Sequence, residues 1–245
     1  QMARRRIEVR SRGGIRREME WDGEDPDALF EELVGDCTSE ESLVLDIGCG
    51  EGHMAARVAG RASLVAGIDL SWTAIEHAAA CFGGERVSWV RADALRLPFR
   101  SGCFDVAYSR RGPVVESAEA LAEARRVLKP AGVLVGLVPG ELHRVETQEV
   151  FGRGFHWPPA RPVRFQVPEL LTAAGLSLAS FAEYYGVCYY PDLEAFATHL
   201  ETIPVIPCFD RERDAPLLRE VERKLRSDRG IRDTEHMSLF VAQKT

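Results

Sequence analysis

Short apolar runs alternate along this chain with stretches in which apolar residues recur at helical spacing. Residues 44–47, 64–68, 87–91 and 133–138 are too short for helices and are predicted to be strands, and residues 97–109 read as a turn leading into another, the fourth in chain order. Between them, residues 51–60, 72–82 and 117–128 carry the helical period; Ser71 is the expected amino-terminal cap of the second and Gly83-Gly84 its stop. Asp25-Pro26 marks the start of an earlier helix over 27–34. Beyond Pro139 the pattern loosens. Residues 139–166, with Gly140, Gly152, Gly154 and the run Pro158-Pro159-Ala160-Arg161-Pro162, read as a long loop after a short helix. A helix from Pro168 to Gly175 follows, then a tyrosine-rich strand over 176–190, two helical stretches within 192–230, and a last strand over 237–242.

The first strand ends in the sequence Asp46-Ile47-Gly48-Cys49-Gly50-Glu51-Gly52. Glycines at alternating positions between a strand and a helix let the backbone bend sharply and a ligand approach it, and the helix behind directs its positive end there. A nucleotide-like ligand is expected. The spacing is not the GxGxxG of dinucleotide enzymes, because His53 follows Gly52 directly, and this counts against NAD and FAD. The second strand ends at Asp69, where a doubly wound fold places a carboxylate for ribose hydroxyls, and the third runs into Ala92-Asp93-Ala94.

With these elements in order, the chain resembles the class I S-adenosylmethionine-dependent methyltransferases from about residue 44 to about residue 139, and Arg126-Val127-Leu128-Lys129-Pro130-Ala131-Gly132 resembles that family's usual approach to its fifth strand. The family's quinone-type and large-subunit rRNA guanine methyltransferases are the nearer comparisons, although the zinc-binding cysteines of the latter are absent. The resemblance implies an α/β fold: a doubly wound, seven-stranded Rossmann-like sheet whose last strand is antiparallel, with a helical lid inserted before it. The expected organisation is an arm and cap helix over 1–40, a cofactor-binding core over 41–190 and 231–245, and the lid over 191–230. The implied cofactor is S-adenosylmethionine, with S-adenosylhomocysteine as product. Gly48, Gly50 and Gly52 would line its methionine end, with Asp46 near the ammonium group. Asp69 would take the ribose hydroxyls, Asp93 and the Ala94 amide the adenine edge, and Leu70 a face of the base. Ser109, at the end of the fourth strand, would face the transferred methyl group.

Composition narrows the partners. The chain has 245 residues, 45% of them hydrophobic, enough for a full core. Its net charge of −7 gives no global attraction for nucleic acid or an anionic membrane. No apolar run has the length of a membrane span and no apolar signal core stands near the start, so a cytoplasmic location and no membrane partner are expected. The six cysteines lack CxxC or histidine-rich spacing, so neither a metal site nor a disulfide framework is indicated, and most read as small buried hydrophobes.

Several residues fit two roles. Arg4-Arg5-Arg6, Arg10, Arg12, Arg16 and Arg17 suit RNA phosphates or a solvated, partly disordered terminus. Arg16, Arg17 and Trp21 suit a lid over the cofactor, and Trp21 equally a place in the core. Arg110 and Arg111 follow the fourth strand, where a cationic sulfonium is expected. They would clamp an anionic acceptor, or pair with Glu116 or Glu119 and point into solvent. No Asn/Asp-Pro-Pro-Tyr/Phe motif follows the strand, which lowers adenine, cytosine and glutamine N-methylation. If the acceptor must lose a proton, His156, His143 and His199 are candidate bases, His156 first because it stands beside Trp157; Tyr185 and Tyr189 are candidate substrate contacts. The sequence thus supports a monomeric or homodimeric methyltransferase for a small-molecule acceptor, with an RNA methyltransferase as the alternative and a non-catalytic S-adenosylmethionine-binding protein as a third reading.

Overall fold

The apolar runs become strands in the expected order, and a hairpin precedes them that the basic amino-terminal stretch does not announce. The computed structural model describes residues 5–10, 16–154, 161–203 and 205–245. The elements begin with β1 (Arg5–Arg10), β2 (Arg16–Trp21), α1 (Pro26–Asp36), β3 (Leu43–Ile47), α2 (His53–Val58) and β4 (Leu64–Asp69). They continue with α3 (Trp72–Phe82), β5 (Val87–Arg91), β6 (Phe104–Arg110), α4 (Ala118–Val127), β7 (Leu128–Pro139) and α5 (Val145–Phe151). The chain closes with α6 (Val163–Ala173), β8 (Leu176–Tyr190), α7 (Leu193–Thr202), α8 (Ala215–Leu225), β9 (Arg226–Ser227) and β10 (Gly230–Lys244).

These elements form two compact units, the larger of residues 26–138, 164–182 and 238–245 and the smaller of residues 1–25, 139–163 and 183–237. Strands β8 and β10 contribute residues to both. In the larger unit the strand order is β8-β10-β7-β6-β3-β4-β5. The pairs β3–β4, β3–β6, β4–β5 and β6–β7 are parallel, as expected when a helix crosses over between strands. β10 runs the other way: Lys244 bonds the Leu128 carbonyl, Gln243 the Ala131 carbonyl, and the Phe240 ring lies over Gly136, so numbers fall on one strand as they rise on its neighbour. This is the doubly wound, Rossmann-like sheet with an antiparallel last strand that the sequence leads one to expect. Val44, Leu45, Val65, Ile68, Val106, Leu134 and Val135 fill its core, and Phe30 of α1 packs edge-on against Tyr108 of β6 with ring centroids 6.0 Å apart.

Caps explain why the helices begin where they do. Ser71 accepts from the Ala74 amide at 3.3 Å ahead of α3, and Ser117 from the Ala120 amide at 3.0 Å ahead of α4. Two boundaries differ from expectation. β7 begins at Leu128, since Leu128 pairs with Phe104 and Val133 with Val106, and the extra residues between bulge out with Ala131 at φ 61°. α6 begins at Val163, with Pro168 inside it, because the Glu141 carboxylate caps the Val163 amide at 3.2 Å.

In the smaller unit β1 pairs antiparallel with β2, and β2 with β8 in the register Glu18↔Tyr189 to Trp21↔Gly186. The solvated-arm reading of this stretch therefore gives way to strand pairing over Arg5–Arg10 and Arg16–Trp21. Met19 and Trp21 are 2% and 1% exposed, so Trp21 is a core residue. Gly186 makes room for it, since a Cβ there would stand 2.7 Å from the Trp21 ring. No helix among the described residues is long and apolar enough to cross a membrane.

Candidate cofactor cleft

Gly48, Gly50 and Gly52 all adopt positive φ, at 78°, 54° and 84°, the left-handed conformation that glycine takes without steric penalty. Gly52 has a second reason to lack a side chain, because a Cβ there would stand 2.5 Å from the Trp89 ring, which fills the space beneath the turn. The turn's amides are spent internally. Gly48 and Cys49 donate to the Ile68 carbonyl at 2.9 and 2.8 Å, Gly52 to the Cys49 carbonyl at 3.0 Å, and Gly50 to Asp69 at 2.9 Å. The turn therefore presents a bare backbone surface rather than those four N–H groups.

Asp69, at the end of β4, receives Gly50 N–H on one carboxylate oxygen and Ser71 N–H on the other, at 2.9 and 2.8 Å. Each oxygen keeps an acceptor site for a ligand hydroxyl. Asp93, just beyond β5, is held by the Leu95 amide at 2.9 Å. Gly48, Asp69, Leu70, Asp93 and Ala94 line one cleft of about 460 Å³, completed by Ile68, Ala92, Leu95, Pro113, Glu116 and Ser117. Leu70 and Leu95 are 64% and 49% exposed, two large apolar side chains standing open beside two carboxylates. Leu95 and Pro113 carried no signal in the sequence, because what brings them here is the parallel order of β3, β4, β5 and β6.

The other residues singled out in the sequence lie elsewhere in this unit. Asp46 is 3% exposed and accepts from the Tyr108 hydroxyl at 3.0 Å; burial raises its pKa to about 7. Ser109 is fully buried and donates to the Ile47 carbonyl at 2.9 Å. Arg111 forms a bidentate pair with Asp27 of α1, both bonds 2.7 Å, and Arg110 lies 3.7 Å from Asp27 and 3.6 Å from Glu31. These acids, not Glu116 or Glu119, are the arginines' partners, and 84 residues separate Asp27 from Arg111.

The smaller unit holds the remaining candidates. Its centre is Arg144, 2% exposed at φ 57°, whose guanidinium bonds Glu235 and lies 3.7 Å from Asp233. His143 meets the other Glu235 oxygen at 3.2 Å, Arg17 stands 3.6 Å from Glu235, and Thr147 donates to Asp233 at 2.6 Å. Burial raises Asp233 to about 7 and lowers His199 to about 2, whereas Arg144 holds Glu235 well below the usual carboxylate range against its burial. His199 is thus neutral and enclosed, and Tyr189 lies under the Arg229 guanidinium, 3.8 Å from its ring centroid. Tyr185 stacks on His236 at 4.4 Å. His156 lies outside the described residues.

Glu141, Glu183 and His236 bring one potential ligand atom each within 4.8 Å of one another, a cluster the cysteine and histidine spacing did not suggest. The Leu142 amide donates to His236 Nδ1 at 3.2 Å, which puts the ring proton on Nε2, facing Glu183 at 3.3 Å. That arrangement is a carboxylate–imidazole pair. All six cysteines are free; only Cys188 is fully buried, while Cys81 and Cys208 are exposed, so the expectation of mostly buried thiols does not hold.

Residues 44–132 match a protein family described as a methyltransferase domain. The chain is 35% identical over 129 residues to YxjB of Bacillus subtilis, named as a candidate 23S rRNA (guanine-N(1)-)-methyltransferase, an alignment covering 50% of this chain and 43% of that protein. It is 37% identical over 115 residues to the 2-phytyl-1,4-naphtoquinone methyltransferase of Trichormus variabilis, covering 43% and 48%. The chain thus spans about half the length of the curated relatives it matches. The fold is shared with a candidate methyltransferase, BH2331, of Bacillus halodurans, at TM-score 0.68 and 20% identity over 89% of this chain and 97% of that one. Residues 44–132 are thus similar to a methyltransferase domain, on a Rossmann-like fold.

Proposed function

We propose that the chain transfers a methyl group from S-adenosylmethionine to a small-molecule acceptor. The observation that carries the cofactor is the single cleft lined by Gly48, Asp69, Leu70, Asp93 and Ala94. Its donor set fits an adenosyl group: a carboxylate with acceptor sites left for a diol, a second carboxylate for an amino edge, and apolar walls for a flat base. When bound, S-adenosylmethionine supplies an already activated methyl group. Asp69, fixed by two amides, orients the ribose, and Leu70 and Leu95 cover the base and exclude water. The protein's contribution to rate is then alignment, which can lower a barrier by several kcal/mol when the reacting atoms are held in line. Asp46 near the ammonium and Ser109 near the methyl group belong to this reading.

The acidic balance of −7 favours a small acceptor over RNA. Arg110 and Arg111 are engaged by α1, so an anionic group on the acceptor has less support than the residue types alone suggest. The likeness to YxjB favours RNA as the second reading. Calorimetric titration with S-adenosylmethionine, S-adenosylhomocysteine and NAD tests the cofactor: binding of the first two without NAD is expected, and binding of NAD alone overturns it. Transfer of labelled methyl to a metabolite pool, and not to rRNA, is the expected result for the acceptor; salt-dependent transfer to rRNA selects the second reading.

A further inference from the structure

We infer that Asp27 sets the preference of the cleft for the cationic cofactor over its neutral product, by offsetting the charge of Arg110 and Arg111. The inference rests on the S-adenosylmethionine reading above. Arg110 and Arg111 stand at the end of β6, immediately before Gly112 and Pro113. Those two residues close on the glycine turn: a Cβ at Gly48 would lie 3.2 Å from Pro113 Cδ and 3.4 Å from Gly112 Cα. Pro113 and Gly48 both line the cleft. Two guanidiniums thus leave the chain two and three residues before Pro113, a wall of the site. Arg111 holds its place with φ 54°, a conformation disfavoured for a residue with a side chain, so the backbone is bent at the point where the pair forms.

The two acids that meet these arginines are one helical turn apart on α1. Asp27 takes both Arg111 nitrogens at 2.7 Å and lies 3.7 Å from Arg110; Glu31 lies 3.6 Å from Arg110 and also meets Arg57 of α2. Three guanidiniums from two walls of the turn share two carboxylates on one helix. S-adenosylmethionine carries a sulfonium, an ammonium and a carboxylate, hence a net positive charge, whereas S-adenosylhomocysteine has a neutral sulfur and no net charge. Removing one carboxylate from this group raises the local potential by a full unit of charge. A cationic ligand feels that change and a neutral one of the same shape does not. Asp27 acts through the arginines, as a positioning and charge-balancing residue.

The test is calorimetric titration of the full chain with both compounds at low ionic strength. Asp27→Asn is expected to weaken S-adenosylmethionine by roughly three- to tenfold relative to S-adenosylhomocysteine, the scale of one charge acting across several ångströms of partly solvated protein. Asp27→Glu, which keeps the charge, is expected to hold the wild-type ratio, and Asp27→Asn with Arg111→Gln to restore it. Equal weakening of both compounds by Asp27→Asn makes Asp27 merely structural and overturns the inference while leaving the cofactor reading intact. Failure of the wild-type chain to bind either compound overturns the cofactor reading, and the inference with it. Loss of the ratio change at high salt supports the electrostatic origin.

Discussion

Two pairs of carboxylates, one pair in each compact unit, are held in opposite ways. In the larger, Asp69 and Asp93 are held by backbone amides and face a cleft. In the smaller, Asp233 and Glu235 are 0% and 1% exposed and are met by Arg144, Thr147 and His143 side chains. A carboxylate oriented by amides keeps its charge and its remaining lone pairs for a ligand. One enclosed by a guanidinium and hydroxyls has spent both on the fold. Burial together with an ion pair therefore marks structure here, and an accessible acid at or just beyond a strand end marks the candidate site.

The largest effect expected from this contrast is at Arg144. Arg144→Met leaves Glu235 and Asp233 enclosed without their guanidinium, and the expected loss is about 3–5 kcal/mol in urea unfolding. Glu235→Gln added to it should recover part of that loss, because the stranded charge is gone. If Arg144→Met costs less than about 1 kcal/mol, the network contributes little and the contrast fails.

Next in size is the glycine turn. Gly52→Ala combines φ 84° with a Cβ 2.5 Å from the Trp89 ring, so a destabilisation of roughly 1–3 kcal/mol is expected in thermal or urea unfolding. Gly84→Ala, where a Cβ meets nothing within 4 Å, is the control and should be close to neutral. Equal effects at both positions would show that the turn is not tightly packed.

How far each region can be read from sequence follows from the same geometry. The strand–turn–helix around Gly48 is a local pattern, and its period and glycine spacing place Asp69 and Asp93 because parallel strands put their carboxyl ends on one edge. The Arg144–Glu235 pair spans 91 residues, and nothing in the local sequence of either residue marks it. The first hairpin was hidden for a related reason. Its arginines read as a solvated arm, while the apolar partners of β2 lie far along the chain in β8. Arg110 and Arg111 were legible as unusual, but their partner on α1 was not.

A smaller effect is expected at the site itself. Asp69→Ala should weaken S-adenosylmethionine binding by about 1–3 kcal/mol through the lost charged hydrogen bonds to the ribose. The same substitution leaves the Gly50 and Ser71 amides without their acceptor, so unfolding should be measured on the same sample. Unchanged affinity in a folded variant would remove Asp69 from the site.

A more gradual effect, at most about 1.4 kcal/mol per pH unit for any one group, separates the units by pH. Asp46 in the larger unit has a folded pKa raised to about 7 from an ordinary 3.8, so its protonated form favours the native state. Its stabilisation is complete below the unfolded value and is lost as pH rises through about 7. Asp233 in the smaller unit behaves likewise, but there it is opposed by His199, lowered to about 2 from 6.5. The neutral His199 ring favours the native state, so its contribution is present above pH 6.5 and is lost as pH falls below it. Between about pH 4.5 and 6.5 the two slopes in the smaller unit run against each other, whereas Asp46 stands without such an opponent among the shifts resolved in the larger unit. Asp46→Asn should therefore flatten the fall in urea midpoint between pH 5 and 7, while His199→Gln should steepen it, because it removes a contribution that rises with pH across that window. A wild-type midpoint that climbs across that range would mean that Asp46 and Asp233 are ionised in the native state throughout, with solvent or a neighbouring charge reaching carboxylates that the geometry encloses.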